Sequence, residues 1–195
     1  MVRLAQFSAD CFVSAAIALV AEAGPSAASI PAIARRVGAP TGSLYHRFPS
    51  KAAVLAAAWA EVHGDFTAAL VPPLFEGRAR DAAMTLVDWS RARPLRARFL
   101  LLNDFGALVD GAPVPDDLRA EIARQEDVLD RAFLSLAGGH ASAAEAAALR
   151  FRVFDAPVAA LRPHLIGRGP IPEFVDDLVS GLFDNGRDAL QGQAA

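Results

Sequence analysis

The sequence predicts an all-α fold, with an N-terminal three-helix head followed by a larger helical-bundle body, about nine helices along 195 residues. Three observations carry that expectation. Apolar residues make up 53% of the chain, and with only 12 Phe, 2 Trp and 1 Tyr the bulk is Ala, Leu and Val, the first two of which favour helices. Apolar positions recur with helical spacing, and no stretch alternates as a half-buried strand does. Prolines and glycines divide the chain into helix-length pieces. A chain of this length buries roughly 70% of its unfolded surface, enough for a substantial core.

The first helix starts after Ser8, whose side chain suits an N-cap, with Phe7 placed to pack on Phe12. It ends at Ala23, because Gly24 tolerates a positive φ and Pro25 cannot continue the helix. Cys11 on this helix reads as a small buried apolar residue. Ser29 caps the second helix, Ile30 to Val37, whose Ile30, Ile33, Ala34 and Val37 share one face while Arg35 and Arg36 look outward. Gly38-Ala39-Pro40 forms a three-residue turn, and a third helix is expected through Phe48, ended by Pro49. Ser50 then caps a longer helix to about Val71, before Pro72-Pro73.

Further helices are expected over 78–92, 94–109, 115–137, 142–166 with a kink near Pro157, and 172–190. The domain boundary falls at the head's end, giving 1–50 and 51–195. Between Asp116 and Leu136 one face collects Leu118, Ile122, Gln125, Leu129, Ala132, Phe133 and Leu136. Gln125 is either a hydrogen-bonded core residue or a polar group offered to a ligand, and the same two readings apply to Trp89, Asn103 and Asp104. The last helix spreads Phe174, Val175, Leu178, Val179, Leu182 and Phe183 too widely for a single contact. Together with Leu149, Val153, Phe154, Val158 and Leu161 before it, this predicts a two-fold homodimer through a four-helix interface.

Composition excludes several classes. One cysteine cannot form an intramolecular disulfide and fits a reducing cytoplasm. No run reaches the ~20 apolar residues of a membrane span, so no membrane partner is expected. Arg3, the uncharged stretch 11–21 and Ala21-Glu22-Ala23 imitate an export signal, but Asp10 is wrong for one. His46, His63, His140 and His164 lack metalloprotease spacing, and CxxC pairs, GxSxG elbows and phosphate-cradling glycine loops are missing. The chain is therefore not expected to be an enzyme or to hold a metal or cofactor. Gly138-Gly139-His140 reads as a helix-ending loop. Residues 1–55 carry Arg3, Arg35, Arg36, Arg47 and Lys51 against Asp10 and Glu22, a net +3, while the whole chain is −3. A basic head on an acidic body points to a polyanion partner.

Two short helices joined by a Gly-containing turn, with a supporting helix in front, make a helix-turn-helix. The leading turn of its second helix enters the major groove of double-stranded DNA, and Thr41, Gly42 and Ser43 are short and polar enough for that position. Leu44 and Phe48, four apart, hold the helix to the core and leave Tyr45, His46 and Arg47 at the rim for phosphates. Residue by residue the plainer alternatives are a core-edge Tyr45, a solvated His46 and a solvated Arg35-Arg36 face.

The stretches FVSAAIALVAEAG and SIPAIARRVGAPTGSLYHRFPSK resemble the DNA-binding head of TetR-like (tetracycline-repressor-like) transcriptional regulators. The likeness rests on Ala16, Gly24, Ile33, Ala34, Gly38, Gly42, Leu44, Tyr45, Phe48 and Lys51. It implies DNA contacts from Ser29, Thr41, Ser43, Tyr45, His46 and Lys51, a small-molecule effector pocket among the body helices, and repression of transcription from a palindromic operator. Three positions depart from the pattern: Thr41 where Lys or Arg is frequent, Pro40 where Ser or Thr is usual, and an arm before the first helix with Arg3 alone. Fewer cations imply modest affinity with a shallow salt dependence. They also keep open the alternative of a helical ligand-binding or interaction module without DNA binding.

Overall fold

A computed structural model describes residues 7–138 and 141–184. Among them every regular element is helical: α1 (Ala9–Ala23), α2 (Ile30–Val37), α3 (Thr41–Tyr45), α4 (Lys51–Phe75), α5 (Ala79–Ala92), α6 (Pro94–Leu101), α7 (Phe105–Val109), α8 (Asp116–Ala137), α9 (Ala143–Arg150), α10 (Ala156–Gly167) and α11 (Phe174–Gly181). Arg3, Gly139 and His140 lie outside the described residues, as does the part of the expected 172–190 helix beyond Asp184; α11 itself ends at Gly181, short of that expectation.

The first two helices have the expected bounds because short-range chemistry sets them. Ser8 Oγ accepts from the backbone N–H of Cys11, and Gly24 ends α1 at φ 83°. Ser29 Oγ accepts from Ala32 N–H at 3.3 Å. Gly38 takes the left-handed conformation (φ 75°, ψ 23°). Its N–H donates to Arg35 O at 3.1 Å and that of Ala39 to Ala34 O at 2.9 Å, the paired bonds that close a helix around a left-handed residue. No side-chain or distant backbone atom crowds a Cβ at Gly38, so the backbone angle alone calls for glycine.

Elsewhere the boundaries differ from expectation. α4 runs through Pro72 and Pro73 to Phe75. Both prolines sit in its last turns, and the chain closes with Glu76 N–H on Pro72 O (3.1 Å) and Arg78 N–H on Pro73 O (2.9 Å). The helix expected over 94–109 is two helices. The Asn103 amide donates to Phe99 O (2.8 Å) and Arg98 O (3.3 Å), closing α6, and Asp104 Oδ1 accepts from Ala107 N–H (3.0 Å), opening α7. The helix over 142–166 also divides, at a π-helical turn, Phe151–Asp155, immediately before Pro157. Pro157 has no N–H for the Val153 carbonyl, and the widened turn absorbs the loss. α3 ends at Tyr45 rather than Phe48, because Arg47 and Phe48 both turn their N–H groups onto Leu44 O.

The backbone forms two compact units. One comprises the chain up to Gly64 together with Leu95–Arg124, the other Asp65–Pro94 together with the chain from Gln125. In the first, Phe12, Ile33, Leu44, Val54, Leu55, Val62 and Phe99 are fully buried. In the second, Leu70, Leu74, Leu86, Val87, Val153, Leu161 and Val175 are. Each such side chain contributes about 1.5–3 kcal/mol of apolar burial. α4 has the length and apolar composition of a membrane span, yet 56% of that stretch is buried in the protein. Cys11 corrects its expectation: it is exposed, since Phe12 and Val13 take the core side of α1 and leave Cys11 facing Ser8.

Candidate nucleic-acid interface

The head presents its polar residues from a scaffold of α1 to α3. Leu44 is fully buried and Phe48 nearly so, and these two fix one side of the five-residue α3. The opposite side then carries Thr41 and Gly42, exposed, Ser43, half-buried, and Tyr45, 57% exposed; His46 follows in the next turn, also exposed. Pro40 occupies the N-cap position with extended backbone and supplies no side-chain cap, so the helix begins at Thr41 without drawing on the Thr41 hydroxyl. Ser29 is exposed at the start of α2 while its oxygen caps that helix.

The cations divide by partner. Arg36 makes a two-pronged ion pair with Glu22, at 2.6 and 2.7 Å, which ties α2 to α1 and raises the guanidinium pKa further, through the hydrogen bond first and the charge second. Arg47 donates to Ser43 O at 3.2 Å, bracing α3. Lys51 reaches back to Pro25 O at 3.4 Å. Arg35 is exposed. Sequence reasoning missed the Arg36–Glu22 pair, because the partners are fourteen residues apart on different helices and follow no local period. Hydrogen bonding by Ser8 holds the Cys11 thiol below its ordinary pKa, with a smaller contribution from the Arg47 charge that folding brings near.

The three nominated pocket residues do not form one recognisable group. Asn103 belongs to the first unit, with its amide nitrogen occupied at the end of α6. Trp89 and Gln125 belong to the second. Trp89 is 3% exposed and its Nε1–H donates to Asp65 Oδ2 at 3.1 Å. Gln125 is half-buried in the apolar face of α8, beside buried Ile122 and Leu129. Among the described residues no group of His, Cys, Asp and Glu is placed to hold a metal ion.

The nominated dimer surface needs correction at two positions. Val153 and Leu161 are fully buried within the chain, packed in the second unit, and have no surface to offer a partner. Leu149, Val158 and Leu182 are half-buried, while Phe174 and Leu178 are 53% and 57% exposed. Phe151, Ile166 and Leu134 add exposed apolar surface that the helical wheel did not single out.

A helix-turn-helix whose second helix is pinned by apolar residues and offers its polar leading turn to solvent is the head of a DNA-binding transcriptional regulator. Residues 12–58 match the family described as bacterial regulatory proteins, tetR family. The whole fold is shared with solved structures. One, from Shewanella sp. PV-4 and assigned to the tetR family of transcription regulators, has a TM-score of 0.66 at 20% identity, covering 91% of this chain and 96% of its own. A transcriptional regulator from Rhodococcus sp. Rha1 has a TM-score of 0.66 at 19% identity, covering 95% and 97%. SmeT, the repressor of the Stenotrophomonas maltophilia multidrug efflux pump SmeDEF, has a TM-score of 0.58 at 16% identity, covering 94% and 90%. No curated protein sequence matches the chain.

Proposed function

We propose that this chain is a cytoplasmic homodimeric repressor that binds a palindromic operator and is released from it by a small molecule held in its helical body. The exposed turn Thr41-Gly42-Ser43, standing on buried Leu44 and Phe48, carries the reading. Short polar side chains there approach base edges in the major groove, while Ser29, Tyr45, His46 and Lys51 address phosphates. A division of the chain near residue 50 into DNA-reading and effector-binding parts accompanies it. In a two-fold dimer the heads read half-sites one helical turn apart, ~34–36 Å, and the effector lowers affinity by favouring a different separation. The contact surface is the exposed apolar set Phe151, Ile166, Phe174 and Leu178 with the half-buried Leu149, Val158 and Leu182.

Fluorescence anisotropy with the DNA beside the chain's own gene, at two salt concentrations, tests the reading. Sequence-dependent binding is expected, with a log–log salt slope of about −0.9 per neutralised phosphate. Binding indifferent to sequence refutes it. A second reading, a ligand-binding module whose head does not bind DNA, draws support from the engagement of Arg36 by Glu22 and of Lys51 by Pro25 O. Tyr45→Phe and Lys51→Ala discriminate: a weakened complex supports the first reading, unchanged affinity the second.

A further inference from the structure

The two tryptophans of this chain are treated differently by the fold. Both are at least nine-tenths buried, Trp59 7% and Trp89 3% exposed. The Trp89 indole N–H has its acceptor in Asp65. Trp59 Nε1, on α4, is a buried donor with no hydrogen-bond partner. Buried donors are nearly always bonded, so an orphan of this kind calls for an explanation. Its surroundings are aromatic: the ring centroid lies 5.5 Å from that of Phe105, 6.1 Å from Phe99 and 6.4 Å from His63, the last stacked nearly parallel at 13°. All four belong to the same compact unit, the one that contains the head. Phe99 is fully buried, but Phe105, the first residue of the short α7, is half-buried and so gives the cluster a solvent-reachable side.

An indole N–H supplies one hydrogen bond and no charge, and flanking rings favour flat apolar groups. Glu61 and Arg96, close along the same helices, form an ion pair with each other. His63, stacked on the indole, is the one ionisable member of this cluster, and a charged guest would otherwise enter an apolar setting, which is disfavoured. We propose that Trp59 is the recognition donor of the effector site, and that the effector is a neutral, ring-bearing molecule whose carbonyl or ether oxygen accepts from Trp59 Nε1–H against Phe99 and Phe105. This rests on the effector-released reading above and names the chemistry of its ligand.

The test uses the full chain labelled with nitrogen-15 at indole, which gives two side-chain signals, Trp59 being assigned by its loss in Trp59→Phe. Cyclohexanone, acetophenone and 2-acetonaphthone are titrated against methylcyclohexane, ethylbenzene and 2-ethylnaphthalene, similar in shape and lacking the acceptor. At least one ketone is expected to move the Trp59 signal downfield, and to bind about ten-fold more tightly than its hydrocarbon counterpart, as one hydrogen bond to a buried donor implies. Trp59→Phe, which keeps a ring and removes the donor, should erase that preference. If that variant fails to fold, Trp89→Phe assigns the two signals by elimination and the displacement of the wild-type Trp59 signal decides. A Trp59 signal unmoved by every ketone, equal binding of ketone and hydrocarbon, or a long-lived water on the indole that no ketone displaces overturns the proposal. A wild-type chain that shows no ketone preference while binding its operator removes this inference alone. Ketone preference without operator binding removes the DNA reading instead.

Discussion

Tyr45 and Arg36 show how differently two polar residues of one small head are placed. Tyr45 stands on an exposed helix face with its backbone held by Leu44 beneath it, whereas Arg36 is clamped by Glu22. Glu22→Gln should free the guanidinium, making the salt dependence of DNA binding steeper by up to about one phosphate's worth, −0.9 in log–log slope, with a stability loss below about 1 kcal/mol for so exposed a pair. Anisotropy titrations at several salt concentrations and urea unfolding measure the two effects; an unchanged slope would show that Arg36 faces no phosphate. At Gly38 the left-handed backbone predicts a loss of about 1 kcal/mol for Gly38→Ala, seen as a lower urea midpoint. Residue types and caps in the head were legible because each depends on neighbours within four positions. Pairings such as Arg36 with Glu22, and the orphaned Trp59 donor, depend on which helices meet and left no local trace.

Among the elements, the caps decide where the sequence could be read and where it could not. Ser8, Ser29 and Ser50 announced their helices because a hydroxyl followed by an apolar face has few other uses. Asn103-Asp104 sat inside an apolar pattern that continued on both sides, so the side-chain bonds that end α6 and open α7 were hidden. Asn103→Ala should lower stability by about 1 kcal/mol by stripping the α6 carbonyls of their donor, measurable by denaturant unfolding. α9 carries a reciprocal cap: Ser142 N–H and its hydroxyl both donate to Glu145 Oε2 at 2.7 Å, and these bonds, the backbone one first, hold the Glu145 pKa below its ordinary value. A lowered carboxyl pKa stabilises the helix start at pH above the usual glutamate range, and that contribution disappears as the pH falls through the lowered value. Amide protection in the first turn of α9, taken relative to the intrinsic exchange rate at each pH, should accordingly fall on acidification, and Glu145→Ala should remove that transition.

At the scale of the whole molecule, exposed apolar surface is what the proposed pairing with a second copy rests on. Val153 and Leu161 were legible as apolar but not as inward-facing, because a helical wheel gives the direction of a residue and not which direction is already filled. Phe174 and Leu178 remain exposed on α11, so Leu178→Glu is expected to shift sedimentation equilibrium from dimer to monomer and to weaken operator binding with it; a variant that stays dimeric would move the interface elsewhere. Cys11, exposed on α1 and the sole thiol of the sequence, has a consequence for watching such an assembly at work. In the proposed dimer, a nitroxide attached there puts a single paramagnetic centre on each head without mutating anything. Pulsed dipolar spectroscopy on the labelled pair then returns one distance, which operator and effector should pull in opposite directions.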